Sequence, residues 1–183
     1  MRRRITALVV AAVALLGVAG WFLSTTRSQS PPLAVPSLPA NSVAVSGTEV
    51  TLYFADAETA LLVPVQRRLE VPSADAQAVV EELIAGPKAG ENLAPTLPQG
   101  TQLLGLSLSG GVVTLNLNRA FETNFPSSSA ATLLTIYSLV NSLTALPGID
   151  KVAFEIEGEA VSELGPLDVS EPLEANSDMV SKQ

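Results

Sequence analysis

The sequence predicts an α+β domain: a mixed β-sheet with two helices packed on one face, in the order β-β-α-β-β-α-β, preceded by one transmembrane helix. Three observations lead there. Several short segments alternate apolar and polar residues with period two. Two longer segments place apolar residues at i, i+3, i+4 and i+7. A 19-residue uncharged run, Ile5–Leu23, stands ahead of both kinds of segment.

As a helix, that run is roughly 28 Å long, close to the hydrocarbon thickness of a bilayer. Trp21-Phe22 lies at its far end, where amphipathic rings favour the interface. Arg2, Arg3 and Arg4 precede the run and only Arg27 follows closely, so the amino terminus is expected in the cytoplasm and the rest outside. Residues 1–23 are therefore read as a single-pass membrane anchor with the amino terminus in the cytoplasm. The competing reading is a signal peptide cleaved after Val18-Ala19-Gly20, which would release a secreted protein. Residues 24–47 contain Pro31, Pro32, Pro36 and Pro39 and read as an extended linker with a reach of at most about 75 Å.

The domain is expected over residues 48–174, with a disordered tail at 175–183. Val50, Leu52 and Phe54 alternate with Thr51 and Tyr53, the pattern of a half-buried strand. Asp56-Ala57-Glu58-Thr59 supplies a turn, and Leu61, Val63 and Val65 begin a second strand that Pro64 assigns to an edge or a bulge. Ser73 offers an N-cap for a helix carrying Ala76, Val79, Val80, Leu83 and Ile84, closed by Gly86-Pro87. Lys88–Gly100 reads as a loop. Leu104, Leu106 and Leu108 form one arm of a hairpin and Val113, Leu115 and Leu117 the other, joined through Ser109-Gly110-Gly111. The serines 127–129 cap a long helix that runs to Leu146. Leu133, Ile136, Val140 and Leu143 form its stripe, broadened by Leu134, Tyr137 and Leu139, so it is expected to be covered on more than one side. Lys151–Glu157 is the last clear strand, and 164–173 a short strand or covering segment.

Composition excludes much chemistry. The chain has 183 residues, no Cys and no His. That removes disulfides, thiolate nucleophiles, a lipidated cysteine, His-ligated metal and the Ser-His-Asp arrangement. Residues 41–183 hold 6 basic and 18 acidic side chains, a net −12 that repels nucleic acid and anionic headgroups. No cofactor or metal site is expected, and no catalytic residue. Glu155, Glu157 and Glu159, with Glu163 nearby, share one predicted strand face. That face is read as solvated acid blunting an edge, the alternative being a weak cation site. Arg67 falls on the inward face if the alternation of its strand continues, which calls for an ion pair or a bulge. The functional alternative groups Arg67, Arg68 and Arg119 as a basic spot that grips a carboxylate of a partner.

The blocks VTLYFADAE (50–58), LLVPVQRRLE (61–70), VVEELIAGP (79–87), LPQGTQLLGLSLSGGVVTLNLNRAF (97–121), LVNSLTALPGIDKVAFEIEGE (139–159) and LGPLDVSEPL (164–173) resemble the GerMN domain family, named after a bacterial sporulation and spore-germination protein. The resemblance implies an extracytoplasmic α/β domain of envelope or sporulation-related assemblies, single or in tandem, usually behind a lipoprotein or membrane anchor. Some members resemble the ring-building domains of secretion systems. This chain departs from lipoprotein members by lacking Cys and from tandem members by holding one copy. The expected function is non-enzymatic: a membrane-tethered module that binds envelope proteins, itself or peptidoglycan. A cell-wall hydrolase or its activator is the alternative from another class, and a solute-binding module a third.

Overall fold

The structure is a computed structural model that describes residues 47–69 and 75–182. The expected anchor at 1–23 and nearly all of the linker lie outside the described residues. Among these, no helix is long and apolar enough to cross a membrane. The elements are β1 (Thr48–Asp56), β2 (Leu62–Leu69), α1 (Ala76–Ala85), β3 (Leu93–Ala94), β4 (Leu103–Ser109), β5 (Val112–Leu117), α2 (Arg119–Thr123), α3 (Ser129–Thr144), β6 (Lys151–Ile156), β7 (Glu159–Ala160), β8 (Glu163–Leu164) and β9 (Leu167–Asp168), then a 3-10 turn at Ser177–Met179.

The mixed α+β class holds, but the single sheet does not. The strands form a three-stranded antiparallel sheet ordered β2-β1-β3, a four-stranded sheet ordered β4-β5-β6-β7 and a small β8-β9 hairpin. The β5–β6 pair is the parallel one, Val113 facing Val152 and Leu115 facing Phe154. The two longer helices touch both larger sheets: α3 packs on β1 and β6, and α1 on β1, β4 and α3. The core fills the space between them. Leu52 and Phe54 from β1, Val79 and Val80 from α1, Leu115 and Leu117 from β5, and Ile136, Leu139 and Leu143 from α3 are buried. Each such side chain contributes about 1.5–3 kcal/mol on leaving water. The breadth of the apolar surface on α3 is thereby explained, because it has two sheets to cover.

A stripe of polar residues on α3 explains why the sheets stay separate. Ser138 donates to the Tyr53 carbonyl oxygen at 2.6 Å, and the Tyr53 N–H donates to Ser142 Oγ at 3.0 Å. Two serines one turn apart thus occupy the place of a neighbouring strand on the inner edge of β1. Beyond them β3 takes over, pairing Ala94 with Ala55 and Leu93 with Asp56. Thr135 donates to the Thr96 carbonyl oxygen, and Thr96 and Ser138 share a hydroxyl contact of 2.7 Å. With those groups consumed, no further strand can join at β1. Burial of so many hydroxyls is tolerated because each one has a partner.

Local signals set the element ends. Asp75, not Ser73, is the N-cap of α1: its carboxylate accepts the Ala78 N–H, and Ser73 lies outside the described residues. Gly86, at φ +83, closes that helix. Ser128 caps α3 through the Ala131 N–H. Two elements went unforeseen. One is β3, inside the expected loop. The other is α2, which buries Phe121 edge-on against Phe125, with ring centroids 5.2 Å apart.

The expected loose tail is also corrected. Asn141 on α3 donates to the Asn176 carbonyl oxygen and accepts the Asn176 N–H. Val180 bridges Leu62 in parallel, and the Ser181 N–H donates to the Leu62 carbonyl oxygen. The carboxyl-terminal segment is therefore fastened both to α3 and to the start of β2.

Candidate functional site

The three arginines occupy different environments. On β2, Arg67 lies opposite Val50, on the inward face that the alternation foretold, and is only 4% exposed. Its guanidinium donates to Glu82 at 3.1 Å, to both Glu91 oxygens at 2.8 and 2.9 Å, and to the Gly86 carbonyl oxygen at 3.3 Å. It also stands 5.3 Å from the centroid of the Phe54 ring. A cation at the last turn of α1 meets the negative end of the helix dipole. Burial works against ionisation of Glu91, yet the Lys88 N–H and the Arg67 guanidinium outweigh it and hold that carboxyl below its ordinary range. Arg67 is a structural clasp joining β2, the end of α1 and the following loop, and it has no free face for a partner.

Arg68, the next residue, is exposed on the opposite face of β2. Arg119 opens α2, exposed and paired with Glu122 at 3.1 Å across a single turn. The basic spot therefore does not form as a group of three, because alternation along a strand sends Arg67 and Arg68 to opposite faces.

The acidic face is likewise redistributed. Strand β6 ends at Ile156, and Glu157-Gly158 forms the two-residue turn into β7, with φ +53 and +85. Positive φ at both central residues is the I′ geometry that matches strand twist. Glu157 is thereby turned away from the Glu155 face, and its carboxylate accepts the Arg119 N–H at the start of α2. Among the described residues, no three acidic side chains come together as a metal cluster would require.

Other carboxylates serve turns and surface pairs. Asp56 accepts the Glu58 and Thr59 N–H groups, which lower its pKa. Asp168 is lowered by the Ser170 hydroxyl and N–H. Glu174 is lowered, and Lys151 raised, by their mutual 2.8 Å contact.

Two open features with apolar character bear on binding. The first is a cleft of about 400 Å³ between the end of β1, the β3 loop and α3. Its wall is mainly small and apolar, including Ala55, Pro95, Leu97, Pro98 and Leu134. The Asp56 carboxylate at its rim is already engaged in its own turn. The second is the outer edge of β4, where Leu104 and Leu108 are 49% and 53% exposed. Leu108 shares a face with buried Val113, as the alternation implied, yet the edge position leaves it uncovered. A register shift between Leu103 and Gly105 places Leu104 in a bulge. The expected alternation of this arm holds for Leu106 and Leu108, opposite Leu115 and Val113, and the bulge interrupts it at Leu104.

The fold is thus a two-sheet α+β domain assembled around one central helix, with its polar side chains spent largely on its own backbone. A family model described as "Germane: Sporulation and spore germination" matches residues 51–162, and the chain belongs to that family. The structure is similar to the tandem GerMN domains of the sporulation protein GerM from Bacillus subtilis, at 24% identity and a TM-score of 0.61. That match covers 79% of this chain and 51% of the other, so the chain spans about half the length of the tandem protein. It is also similar to the first GerMN domain of the same protein, at 22% identity and a TM-score of 0.51, covering 74% of this chain and 98% of that one. A candidate lipoprotein from Clostridium perfringens gives 22% identity and a TM-score of 0.51, covering 72% and 89% of the two chains. No curated protein matches the sequence. These likenesses carry the fold.

Proposed function

We propose that this protein is a non-enzymatic binding or scaffold module of the bacterial cell envelope, tethered to the cytoplasmic membrane by residues 1–23 and serving a sporulation-related or similar assembly. The observation that carries this reading is how the polar groups are used. Arg67 is closed within its ion pairs, Ser138 and Ser142 serve β1, and Glu157 holds the start of α2. Among the features open to a visitor are an apolar cleft and a strand edge, which suit recognition. The family description supports a role related to sporulation or germination.

The test is a pull-down from detergent-solubilised native membranes using the tagged full-length chain, read by mass spectrometry, with a chain lacking 48–174 as control. Specific recovery of envelope proteins through the domain is the expected result. Recovery of nothing beyond the control would overturn protein binding. Hydrolysis of purified peptidoglycan by the full chain, abolished by Glu→Gln substitutions, would replace this reading with a wall-cleaving one.

A further inference from the structure

We infer that residues 175–182 are a releasable strap seated in a peptide-binding site, and that the site takes an extended, basic segment of a partner protein in the strap's place. The inference rests on the binding-module reading and gives that module a site.

The strap is held as a bound peptide is held, through its backbone. Asn141, 5% exposed on α3, donates to the Asn176 carbonyl oxygen at 3.0 Å and accepts the Asn176 N–H at 2.8 Å. One side-chain amide thus reads both backbone groups of a single residue, a contact open to any residue but proline. Five residues on, the Ser181 N–H donates to the Leu62 carbonyl oxygen at 2.8 Å, and Val180 bridges Leu62 in parallel. That is the addition of an extended segment to a sheet edge. Among the described hydrogen bonds, no side chain of the strap reaches the body.

The receptor is shaped for a short segment. The Leu61 carbonyl oxygen accepts the Asp56 N–H inside the β1–β2 hairpin, so alternation directs the Leu62 groups outward. Pro64, the next outward residue, has no N–H to offer, which confines the addition to one register. Leu62 is wholly buried, although alternation puts it with Ala55 on the face opposite Phe54. Pro64, Gln66 and Arg68 follow on that face and are half or fully exposed, so burial coincides with the place where the strap lands.

The strap itself is loosely packed. None of its residues is fully buried. A cleft of about 560 Å³ opens between strap and body, lined by Tyr53, Thr144 and Ala145 on one side and Ser177, Asp178 and Val180 on the other. A segment with so few buried contacts opens at lower cost than the domain unfolds. Charge then selects what replaces it. Asp178 and Lys182 cancel within the strap, so the net −12 of residues 41–183 stays with the body. A second copy brings the same charge and is repelled, whereas a basic segment gains an attraction that the neutral strap lacks.

The experiment uses the full-length chain in detergent micelles and two labelled peptides, residues 175–182 and the same peptide with Asp178→Lys. The strap competes in cis at an effective concentration on the order of millimolar. The variant Asn176→Pro/Ser181→Pro removes both strap donors and leaves Asn141 and Leu62 untouched. By fluorescence anisotropy it should bind either peptide at least about tenfold more tightly than the parent. The Asp178→Lys peptide should bind more tightly than the native one at low salt, with the difference shrinking at about 0.5 M salt. Adding Asn141→Ala should abolish binding. In the unmodified chain, the Asp178→Lys peptide at millimolar concentration should quicken hydrogen exchange at the Asn176 and Ser181 amides, a readout that needs no variant. Equal binding by parent and released chains, binding by neither, or no preference for the basic peptide would overturn the inference. A parent that is dimeric by light scattering and turns monomeric on release would also overturn it, by assigning the site to a second copy's strap. Envelope proteins captured equally with and without Asn141→Ala would leave the proposed function standing and remove this inference alone. Peptide displacement as expected, with nothing captured from envelope membranes, would uphold the site and overturn the envelope setting of the proposed function.

Discussion

The inner edge of β1 and the outer edge of β4 pose the same physical problem and meet opposite fates. Each offers backbone N–H and C=O groups that need partners. At β1 the partners are Ser138 and Ser142, buried hydroxyls on a helix, and the edge is sealed inside the domain. At β4 the ladder ends in leucines half exposed to water. A strand edge is closed where a helix brings hydroxyls at the right spacing, and it is available where the neighbouring residues are merely apolar.

The comparison breaks most strongly at the sealed edge. The double variant Ser138→Ala/Ser142→Ala leaves the part-buried Tyr53 N–H and carbonyl oxygen without their side-chain partners and should cost about 4 kcal/mol, read by urea unfolding. Arg67→Ala, which opens the clasp beneath the same sheet, should cost about 3 kcal/mol, whereas Arg68→Ala should change stability by less than about 0.5 kcal/mol. Partner capture should be unchanged in any Arg67 variant that still folds. Asn141→Ala should cost about 2 kcal/mol and, by hydrogen exchange, deprotect the amides of Asn176 and Ser181 before the rest of the domain.

Acid supplies a milder test of the clasp. Because the pKa of Glu91 is lower in the folded state, its contribution is complete above the ordinary glutamate range, near pH 4.3, and is lost as pH falls through the depressed value. The unfolding midpoint should therefore decline below about pH 4.3, and less steeply in Glu91→Gln. At the open edge the effect on the single chain should be smallest, with Leu108→Lys within about 0.5 kcal/mol of the parent by the same urea measurement.

Much of the fold was legible because apolar periodicity reports burial. Val50, Leu52 and Phe54, the β4–β5 hairpin and the two longer helices all announce themselves this way, and so did the inward position of Arg67. The division into two sheets was not legible, because it depends on hydroxyls. In a pattern reading Ser138 and Ser142 count as polar positions on a helix, yet both are wholly buried, while Leu133 and Leu134 of the expected stripe are only half buried. The carboxyl-terminal attachment was missed for the same reason, since Asn141 recognises backbone and leaves no apolar mark at 175–182. The candidate site was the least legible part. An arginine pair adjacent in sequence suggested a patch, and strand alternation separated it.

The sealing of β1 also has a temporal side. Tyr53 and Ser142 are 89 residues apart, so during synthesis the β1–β2 hairpin emerges well before the helix that completes it. At typical elongation rates of about 5–20 residues per second, that interval lasts several seconds. Throughout it, the amino-terminal hairpin presents an unfinished strand edge as inviting as the one that β4 keeps in the finished molecule. Truncated chains ending before α3 should therefore associate through β1, and a nascent chain has the strongest need of a holding chaperone in that window.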